Sequence, residues 1–425
     1  FKAPPSPPPS PSLCPPRTER MPRVDEPVGP PEAALATLSE LYGPPAGEFL
    51  RGRFGVTHYL LEDMCDNFPG EGERAPIAVL AHGVGASLSG YADFAEALRE
   101  TGFRVLRYDL LGHGFSYAEG GAKYSVEELS TQLHELFELV LEEGEPVDIF
   151  VGHSAGGVLG VQAAMSLPTM PGGHHVKRLA LISPAFWKSA GIVGSIADRL
   201  PRLAQLQASA RVFKIARNAC LDNIHKANEA FATQHDYQCL RLEGQPRLYK
   251  EGLASATAFR KRKFELHPQI QWAIFGILTR VLAAGAMAKR LATFQSLVES
   301  QAEPRTKLGL FWGTMDNVVP LEHAQEVQSW AGGDKVALVR LPGLGHESIL
   351  EDPRRIVDEI LRWAGFAVCV DSPRSRRSST GSKPAHAKPG SGRSSSSPPS
   401  TPVLSPRSAA RLIFTPRDCT PDVTV

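Results

Sequence analysis

Residues 152–156 read Gly-His-Ser-Ala-Gly and directly follow an apolar run, Val147–Val151. A serine between two glycines, placed after a buried strand, is typical of a sharp turn between a strand and a helix. Gly152 and Gly156 have no Cβ, so they leave room in a crowded turn and allow a strained backbone at Ser154. The pattern therefore predicts a strand, a tight turn that exposes a serine hydroxyl, and a helix, in that order.

Strand-like and helix-like runs alternate through the middle of the chain. The predicted strands are Ile77–Ala81, Val105–Tyr108, Val147–Val151, Leu179–Ile182, Leu308–Trp312 and Val336–Leu341. The predicted helices are Tyr91–Glu100, Val126–Glu142, Gly157–Ser166, Glu322–Ala331 and Pro353–Trp363. Alternation of this kind predicts an α/β fold, with a mainly parallel central sheet and helices on both faces.

The alternation is interrupted between residues 187 and 303, where helical runs such as Ser195–Leu206 and Trp272–Ala288 predominate. We predict a helical cap here, inserted between two parts of the core at residues 46–186 and 304–368. An insertion at this point lies over the carboxyl edge of the sheet, where ligands bind in open α/β folds. The apolar run Trp272–Ala288 favours a buried or cavity-lining helix, with contact to a membrane surface as the alternative.

Both ends of the chain have the composition of disordered segments. Residues 1–45 are rich in proline and residues 369–425 in serine, proline, threonine and arginine, so we expect neither to bury enough apolar surface to fold. In the C-terminal segment several hydroxyl residues precede proline, which suits phosphorylation or docking of protein partners. These residues are Ser372, Ser397, Thr401, Ser405, Thr415 and Thr420.

The overall charge and the cysteines narrow the functional classes. A formal net charge of +1 gives no indication of nucleic-acid binding. The 6 cysteines are scattered without a Cys-x-x-Cys pair, which argues against a zinc ribbon or a disulfide scaffold and favours a reducing compartment. We therefore predict a cytoplasmic protein.

A nucleophilic serine needs a base to take its proton and an acid to orient that base. Asp316 lies just beyond the predicted strand Leu308–Trp312, and His346 lies in a glycine-flanked loop after the next strand. The carboxyl ends of parallel strands meet at one edge of a sheet. We therefore expect Ser154, Asp316 and His346 to converge although they are far apart in the sequence.

A glycine-rich turn, His82-Gly-Val-Gly85, directly follows the strand Ile77–Ala81. Such a turn allows backbone amides to face a substrate carbonyl. We expect the amides of Val84 and Ala155 to form an oxyanion hole. The residues predicted to support these turns are His82, Gly83, Gly85, Gly152, His153 and Gly156.

Four segments within residues 50–366 together resemble the α/β-hydrolase family. They are His82-Gly-x-Gly, Tyr108-Asp-x-x-Gly-x-Gly-x-Ser116, Gly-His-Ser-x-Gly-Gly157, and the pair Trp-Gly-x-x-Asp316 and Gly-His346. The run Phe103–Ser116 is similar to the branch that contains meta-cleavage-product hydrolases, esterases and monoacylglycerol-lipase-like enzymes.

The resemblance implies a role for each member of the predicted triad. Ser154 would be the nucleophile, His346 the general base and then acid, and Asp316 the orienting carboxylate, with no metal and no organic cofactor. Epoxide hydrolases and haloalkane dehalogenases of this fold use an aspartate as nucleophile. The serine at position 154 disfavours both activities.

The predicted cap would select the substrate. Its apolar and aromatic residues suit a small hydrophobic ester or another acyl substrate; they include Phe186, Trp187, Phe231, Trp272, Phe275 and Phe294. The basic run Arg260–Lys263 is interpreted as a solvated helix face, with attraction of an anionic headgroup or carboxylate as the alternative. Two rival functions remain: hydrolysis of a carbon–carbon bond in a vinylogous diketone, and a ligand receptor or scaffold that has lost turnover.

Overall fold

The computed structural model describes residues 29–63, 74–169, 172–185, 266–281, 284–299, 305–316, 318–330 and 335–366. In this part of the chain, nine strands form one sheet. The strands are β1 (Glu48–Gly52), β2 (Gly55–Glu62), β3 (Ile77–Ala81), β4 (Arg104–Tyr108), β5 (Tyr117–Ala118), β6 (Ile149–His153), β7 (Arg178–Ile182), β8 (Lys307–Gly313) and β9 (Val336–Leu341).

The sheet is mainly parallel and has the order β1-β2-β4-β3-β6-β7-β8-β9, with β5 paired to β2. Strands β4, β3, β6, β7, β8 and β9 run parallel, whereas β1, β2 and β5 pair antiparallel. The carboxyl ends of β3, β6, β8 and β9 therefore face one edge of the sheet. The ends of these strands and the segments that follow them contain the residues predicted for the triad, the oxyanion hole and the supporting turns.

Helices cover both faces of the sheet. They are α1 (Glu32–Tyr42), α2 (Ala92–Glu100), α3 (Val126–Val140), α4 (Ala155–Ser166), α5 (Pro268–Gly276), α6 (Ala284–Glu299), α7 (Leu321–Trp330), α8 (Ser348–Glu351) and α9 (Pro353–Ala364). One apolar core packs α3, α4 and α6 against side chains such as Val79, and the other packs α2 and α9 against side chains such as Leu80. Successive strand residues thus alternate between the two cores.

The predicted α/β fold, with a mainly parallel sheet between helices, is confirmed. The predicted strand Val147–Val151 is shifted, because β6 begins at Ile149 and Val147 forms only an isolated bridge to Val176. Strands β1, β2 and β5 were not predicted. Strand β1 pairs on one side only and contains only exposed and half-buried residues, so it has no continuous apolar run to reveal it.

The N-terminal boundary needs a correction. The segment 1–45 was predicted to be disordered, yet its last part forms α1. Only Leu38 and Leu41 of this helix are buried, so its apolar stripe is too short to stand out in a proline-rich segment. Residues 1–28 and the predicted C-terminal tail, 369–425, lie outside the described residues.

The predicted cap, residues 187–303, is described only from residue 266 onward, and Ser195–Leu206 lies outside this part. The run Trp272–Ala288, predicted as one helix, is divided between α5, a π-helical turn at Ile277–Val281 and the start of α6. Gln269 anchors α5 to the core, because its side-chain amide donates to the carbonyl of Ala118 and accepts from its backbone N–H. None of the described helices is both long and apolar enough to span a bilayer.

Candidate active site

Ser154 lies at the turn between β6 and α4 and has φ 53° and ψ −116°. A positive φ at a residue other than glycine is strained, and it persists only where the surroundings fix it. Here the glycines on both sides are required. A Cβ on Gly152 would lie 2.6 Å from the carbonyl oxygen of Gly156, and a Cβ on Gly156 would overlap the carbonyl of Ala81. The turn leaves Ser154 partly exposed between buried neighbours.

Asp316 and His346 are brought together at the same edge of the sheet. His346 donates from Nδ1 to Asp316 Oδ2 at 2.9 Å, and both residues are buried. The other carboxylate oxygen, Oδ1, accepts from the backbone N–H groups of Val318 and Val319 at 2.9 and 2.8 Å. The carboxylate is thus held from both sides, and Nε2 is the nitrogen of His346 that can accept a proton.

The pair shifts the pKa values of both groups. Burial alone would lower the pKa of His346, but Asp316, Glu347 and Glu351 outweigh burial, so its pKa lies above the usual value. Burial would raise the pKa of Asp316, but the charge and hydrogen bond of His346 and the N–H of Val319 hold it below the usual value. A negative Asp316 therefore stabilises the positive charge that His346 acquires when it accepts a proton.

His153 connects the serine to the histidine loop. It directly precedes Ser154, and its ring lies 5.0 Å from the ring of His346, between centroids. Its Nε2 donates to the backbone carbonyl of His346 at 2.9 Å. Burial is the largest influence on His153 and lowers its pKa, so this ring is held neutral. The nucleophile turn and the histidine loop are therefore in direct contact through His153.

The turn at residues 82–85 lies beside Ser154. A Cβ on Gly83 would be 3.1 Å from Ser154 Cβ, so a larger residue there would crowd the serine. His82 holds the turn, because Nδ1 donates to the carbonyl of Gly83 at 2.8 Å while Nε2 accepts from Leu110 N–H at 3.0 Å. Gly85 has φ 79°, and a Cβ there would be 3.7 Å from Ile274 of α5. The described part of the cap thus reaches the edge of this turn.

Asp109 organises the neighbouring turn after β4. Its carboxylate accepts from the backbone N–H groups of Leu88 and Phe115 at 2.7 and 2.9 Å and from His58 Nδ1 at 2.7 Å. A Cβ on Gly114, where φ is 49°, would overlap this carboxylate. Asp109 is therefore a structural residue beside the site. It directly precedes Leu110, whose N–H donates to His82 in the turn at residues 82–85.

Sequence reasoning missed two residues at this edge. The hydroxyl of Tyr91 lies between Gly83 and His153: it accepts from Gly83 N–H at 3.3 Å and donates to His153 Nδ1 at 2.7 Å. Glu351 accepts from the N–H of Gly345, next to His346, at 2.9 and 3.1 Å. Neither residue belongs to a short motif. The one signal in the sequence was that Glu351 lies five residues after His346.

Half of the aromatic residues predicted for the cap, Phe186, Trp187 and Phe231, lie outside the described residues, as does Arg260–Lys263. Phe294 is described and is fully buried in the core that packs α3, α4 and α6 against the sheet. Trp272 is partly exposed and lines a cavity of about 440 Å³ together with Tyr117, Tyr124 and Arg280. This cavity is lined by β5, the loop after it and α5, and its lining does not include Ser154 or His346.

The described residues offer no metal site: no three or more His, Cys, Asp or Glu side chains among them are grouped closely enough to hold an ion. His174, one of two adjacent histidines in the sequence, donates from Nδ1 to the backbone carbonyl of Glu145 at 3.0 Å. Because a carbonyl only accepts, this nitrogen carries the hydrogen.

Comparison with known proteins places this geometry in a family. The model of the alpha/beta hydrolase family matches residues 78–359, which is more than half of the chain. The chain therefore belongs to the α/β hydrolase family, and it is a hydrolase.

The individual proteins that the chain resembles share less than a third of its residues. An uncharacterized protein of Mycobacterium tuberculosis is 28% identical over 292 residues, which cover 68% of this chain and 75% of that protein. Protein phosphatase methylesterase 1 of Bos taurus is 29% identical over 96 residues, covering 22% of this chain and 25% of that protein. The solved structure of a candidate lipase from Acinetobacter baumannii AYE has a TM-score of 0.51 at 19% identity, covering 78% of this chain and 95% of the lipase. This last likeness concerns the fold alone.

Proposed function

We propose that this protein is a serine hydrolase that cleaves a carboxylic ester through an acyl-enzyme intermediate. The observation that carries the proposal is the buried Asp316–His346 hydrogen bond of 2.9 Å, at the edge of the sheet where Ser154 occupies a strained turn. The contact between His153 and His346 supports it, because it brings the serine turn against the histidine loop. Ser154 is the proposed nucleophile, His346 the general base and Asp316 its orienting acid.

In the proposed reaction Ser154 Oγ attacks the ester carbonyl carbon while His346 Nε2 accepts the hydroxyl proton. The amides of Val84 and Ala155 stabilise the oxyanion; one such donor typically contributes about 10²–10³ in turnover. The carbon–oxygen bond to the alcohol then breaks, and the alcohol leaves with the proton from His346. Water, deprotonated by the same histidine, attacks the acyl-enzyme and releases the acid, and the proton returns to Ser154.

Two further points favour an ester substrate. The relative named protein phosphatase methylesterase 1 is, by its name, an ester hydrolase, although the matched part is short. Ile274, a described cap residue beside the proposed oxyanion turn, is apolar and buried, which suits a hydrophobic acyl or alcohol group. Of the two rival functions, a carbon–carbon hydrolase would use the same three residues. A receptor would bind its ligand at this edge of the sheet without turnover.

The test is reaction with a fluorophosphonate probe, followed by turnover of p-nitrophenyl acetate, butyrate and octanoate. Wild-type protein should be labelled at Ser154 and should hydrolyse at least one ester. Ser154→Ala should abolish labelling and lower kcat by about 10⁶-fold, as loss of a triad nucleophile does elsewhere.

Ser166→Ala is the matched control. Ser166 Oγ contacts a histidine, His134 Nε2, at 2.8 Å, but it donates its own hydrogen to the carbonyl of Gln162. The control variant should therefore keep full labelling. Labelling that survives in Ser154→Ala would overturn the nucleophile assignment. Labelled protein that turns over a vinylogous diketone but no ester would favour the carbon–carbon hydrolase, and labelling without any turnover would favour the receptor.

A further inference from the structure

Tyr91 has a buried hydroxyl at the centre of the site. It ends a 3₁₀ turn at Leu88–Tyr91, directly before α2, and its side chain is 2% exposed. The hydroxyl oxygen accepts from Gly83 N–H at 3.3 Å and lies 2.7 Å from His153 Nδ1. A buried polar group of this kind is costly unless it is hydrogen-bonded, and here it bonds to two different segments.

The direction of each hydrogen bond follows from the acceptors. The backbone carbonyl of His346 can only accept, so His153 Nε2 carries the hydrogen. In the neutral ring Nδ1 then has a free lone pair, and the hydroxyl of Tyr91 donates to it. Donation therefore runs one way, from Gly83 N–H to Tyr91, from Tyr91 to His153, and from His153 to His346, and bonds aligned in this manner strengthen one another.

Burial keeps both side chains in the protonation state that the chain of bonds requires. It raises the pKa of Tyr91 well above the usual value, so the hydroxyl keeps its hydrogen. It also lowers the pKa of His153, although Glu347, with a carboxylate oxygen 3.9 Å from Nδ1, acts in the opposite direction. Gly83 also packs closely against His153, because a Cβ on Gly83 would lie 3.2 Å from His153 Nδ1.

We propose that Tyr91 is a positioning residue that couples the turn bearing the Val84 amide to the loop bearing His346, with His153 as the link. This inference rests on the proposed function, since it assigns those two segments their roles in the reaction. Catalytic groups must be held within about 0.5 Å of their productive positions. One buried hydroxyl therefore fixes the spacing between the proposed oxyanion amide and the proposed base, without touching the substrate.

The test compares Tyr91→Phe with Tyr108→Phe. Tyr108 is also fully buried, and its hydroxyl has no hydrogen-bond partner among the described residues, so its loss is a matched control. Tyr91→Phe should lower kcat for p-nitrophenyl butyrate about tenfold with little change in KM, because misplaced groups slow the chemical step. The rate of fluorophosphonate labelling should fall in parallel. Tyr108→Phe should leave kcat, KM and the labelling rate near those of the wild type.

A double-mutant cycle with His153→Gln separates coupling from general destabilisation. The glutamine amide can still donate to the carbonyl of His346 but offers no acceptor at the position of Nδ1. Tyr91→Phe should therefore cost less in this background than in the wild type. Equal, additive costs in the two backgrounds would overturn the coupling.

The ¹⁵N chemical shifts of His153 supply a readout that does not depend on activity. The wild type should show a neutral ring with hydrogen on Nε2 only, and the Nδ1 shift should change in Tyr91→Phe but not in Tyr108→Phe. A positively charged His153, or an unchanged Nδ1 shift, would overturn the chain of bonds. If the wild type is neither labelled nor active, the proposed function fails and the role of Tyr91 in catalysis fails with it. If the wild type is active and the two tyrosine variants behave alike, only the positioning role fails.

Discussion

The two sides of the candidate active site are built by different physical means. On the serine side, the position of Ser154 is imposed by the backbone: a φ of 53° and two glycines that no larger residue could replace. On the histidine side, the loop around His346 is held by polar side chains from other segments, namely Asp316, His153 and Glu351.

Because they are built differently, the two sides should be sensitive to different kinds of substitution. The serine turn depends on the absence of side-chain atoms, so small steric changes should damage its folding. The histidine loop depends on charge and hydrogen bonds, so isosteric changes that leave the volume intact should damage its chemistry instead. Substitutions at the two sides can therefore separate stability from turnover.

The largest effect expected of a substitution that preserves side-chain shape lies on the histidine side. Asp316→Asn preserves the shape of the side chain but removes the charge that holds His346 Nδ1–H, so the ring can adopt the wrong tautomer. We expect kcat for p-nitrophenyl butyrate to fall about 10⁴-fold, with an unchanged denaturation midpoint within experimental error. Steady-state kinetics and urea denaturation measure the two quantities.

The control for this change is Asp148→Asn. Asp148 directly precedes β6, at the opposite end of the strand that leads to Ser154, and accepts from Ile77 N–H at 3.0 Å. Its loss should leave kcat near the wild-type value. A fall of similar size in both variants would mean that Asp316 acts through folding.

On the serine side, Gly156→Ala should reduce stability. The new Cβ would overlap the carbonyl oxygen of Ala81 and lie 2.9 Å from that of His82. Because backbone atoms cannot move aside cheaply, we expect the free energy of unfolding to fall by about 2–3 kcal/mol. Gly120→Ala, where a Cβ would meet open space, should change it by less than about 0.5 kcal/mol. A fully stable Gly156→Ala protein would contradict the steric account of the turn.

The same contrast explains what could be predicted from the sequence. Ser154, Asp316 and His346 were predictable because each follows an apolar strand, and parallel strands bring their ends to one edge. The glycines of the serine turn were predictable because their role is local. Tyr91 was not, since its hydroxyl bonds to His153, 62 positions away in the chain, and nothing in the pattern of either segment indicates that contact.

The elements at the margins of the fold were also missed for a physical reason. Strand β1 and helix α1 bury few side chains, so neither leaves an apolar period in the sequence. Strand β1 pairs with β2 in a register that runs from Glu48 opposite Tyr59 to Gly52 opposite Gly55. This register depends on tertiary contacts. Periodicity thus identifies what is buried on a face, and it misses what is stabilised mainly by hydrogen bonding at an edge.

Glu351 offers the finest test of the histidine side. Its carboxylate accepts from the N–H of Gly345 and raises the pKa of His346. Burial, with Glu347 and Asp316 nearby, raises the pKa of Glu351 itself to about 7. Glu351 is therefore negative above that pH, where its charge favours protonated His346, and it loses the charge below.

Glu351→Gln keeps an acceptor for Gly345 N–H but removes the charge. Turnover requires neutral His346, so kcat/KM should rise with pH as His346 loses its proton. Without the negative charge the pKa of His346 falls, and the midpoint of this rise should move to lower pH while the plateau at high pH stays close to that of the wild type. Glu359→Gln, in which the lost carboxylate pairs with Arg362 on α9, should leave the midpoint in place. A midpoint that moves upward, or that moves equally in both variants, would contradict an electrostatic role for Glu351 behind the histidine.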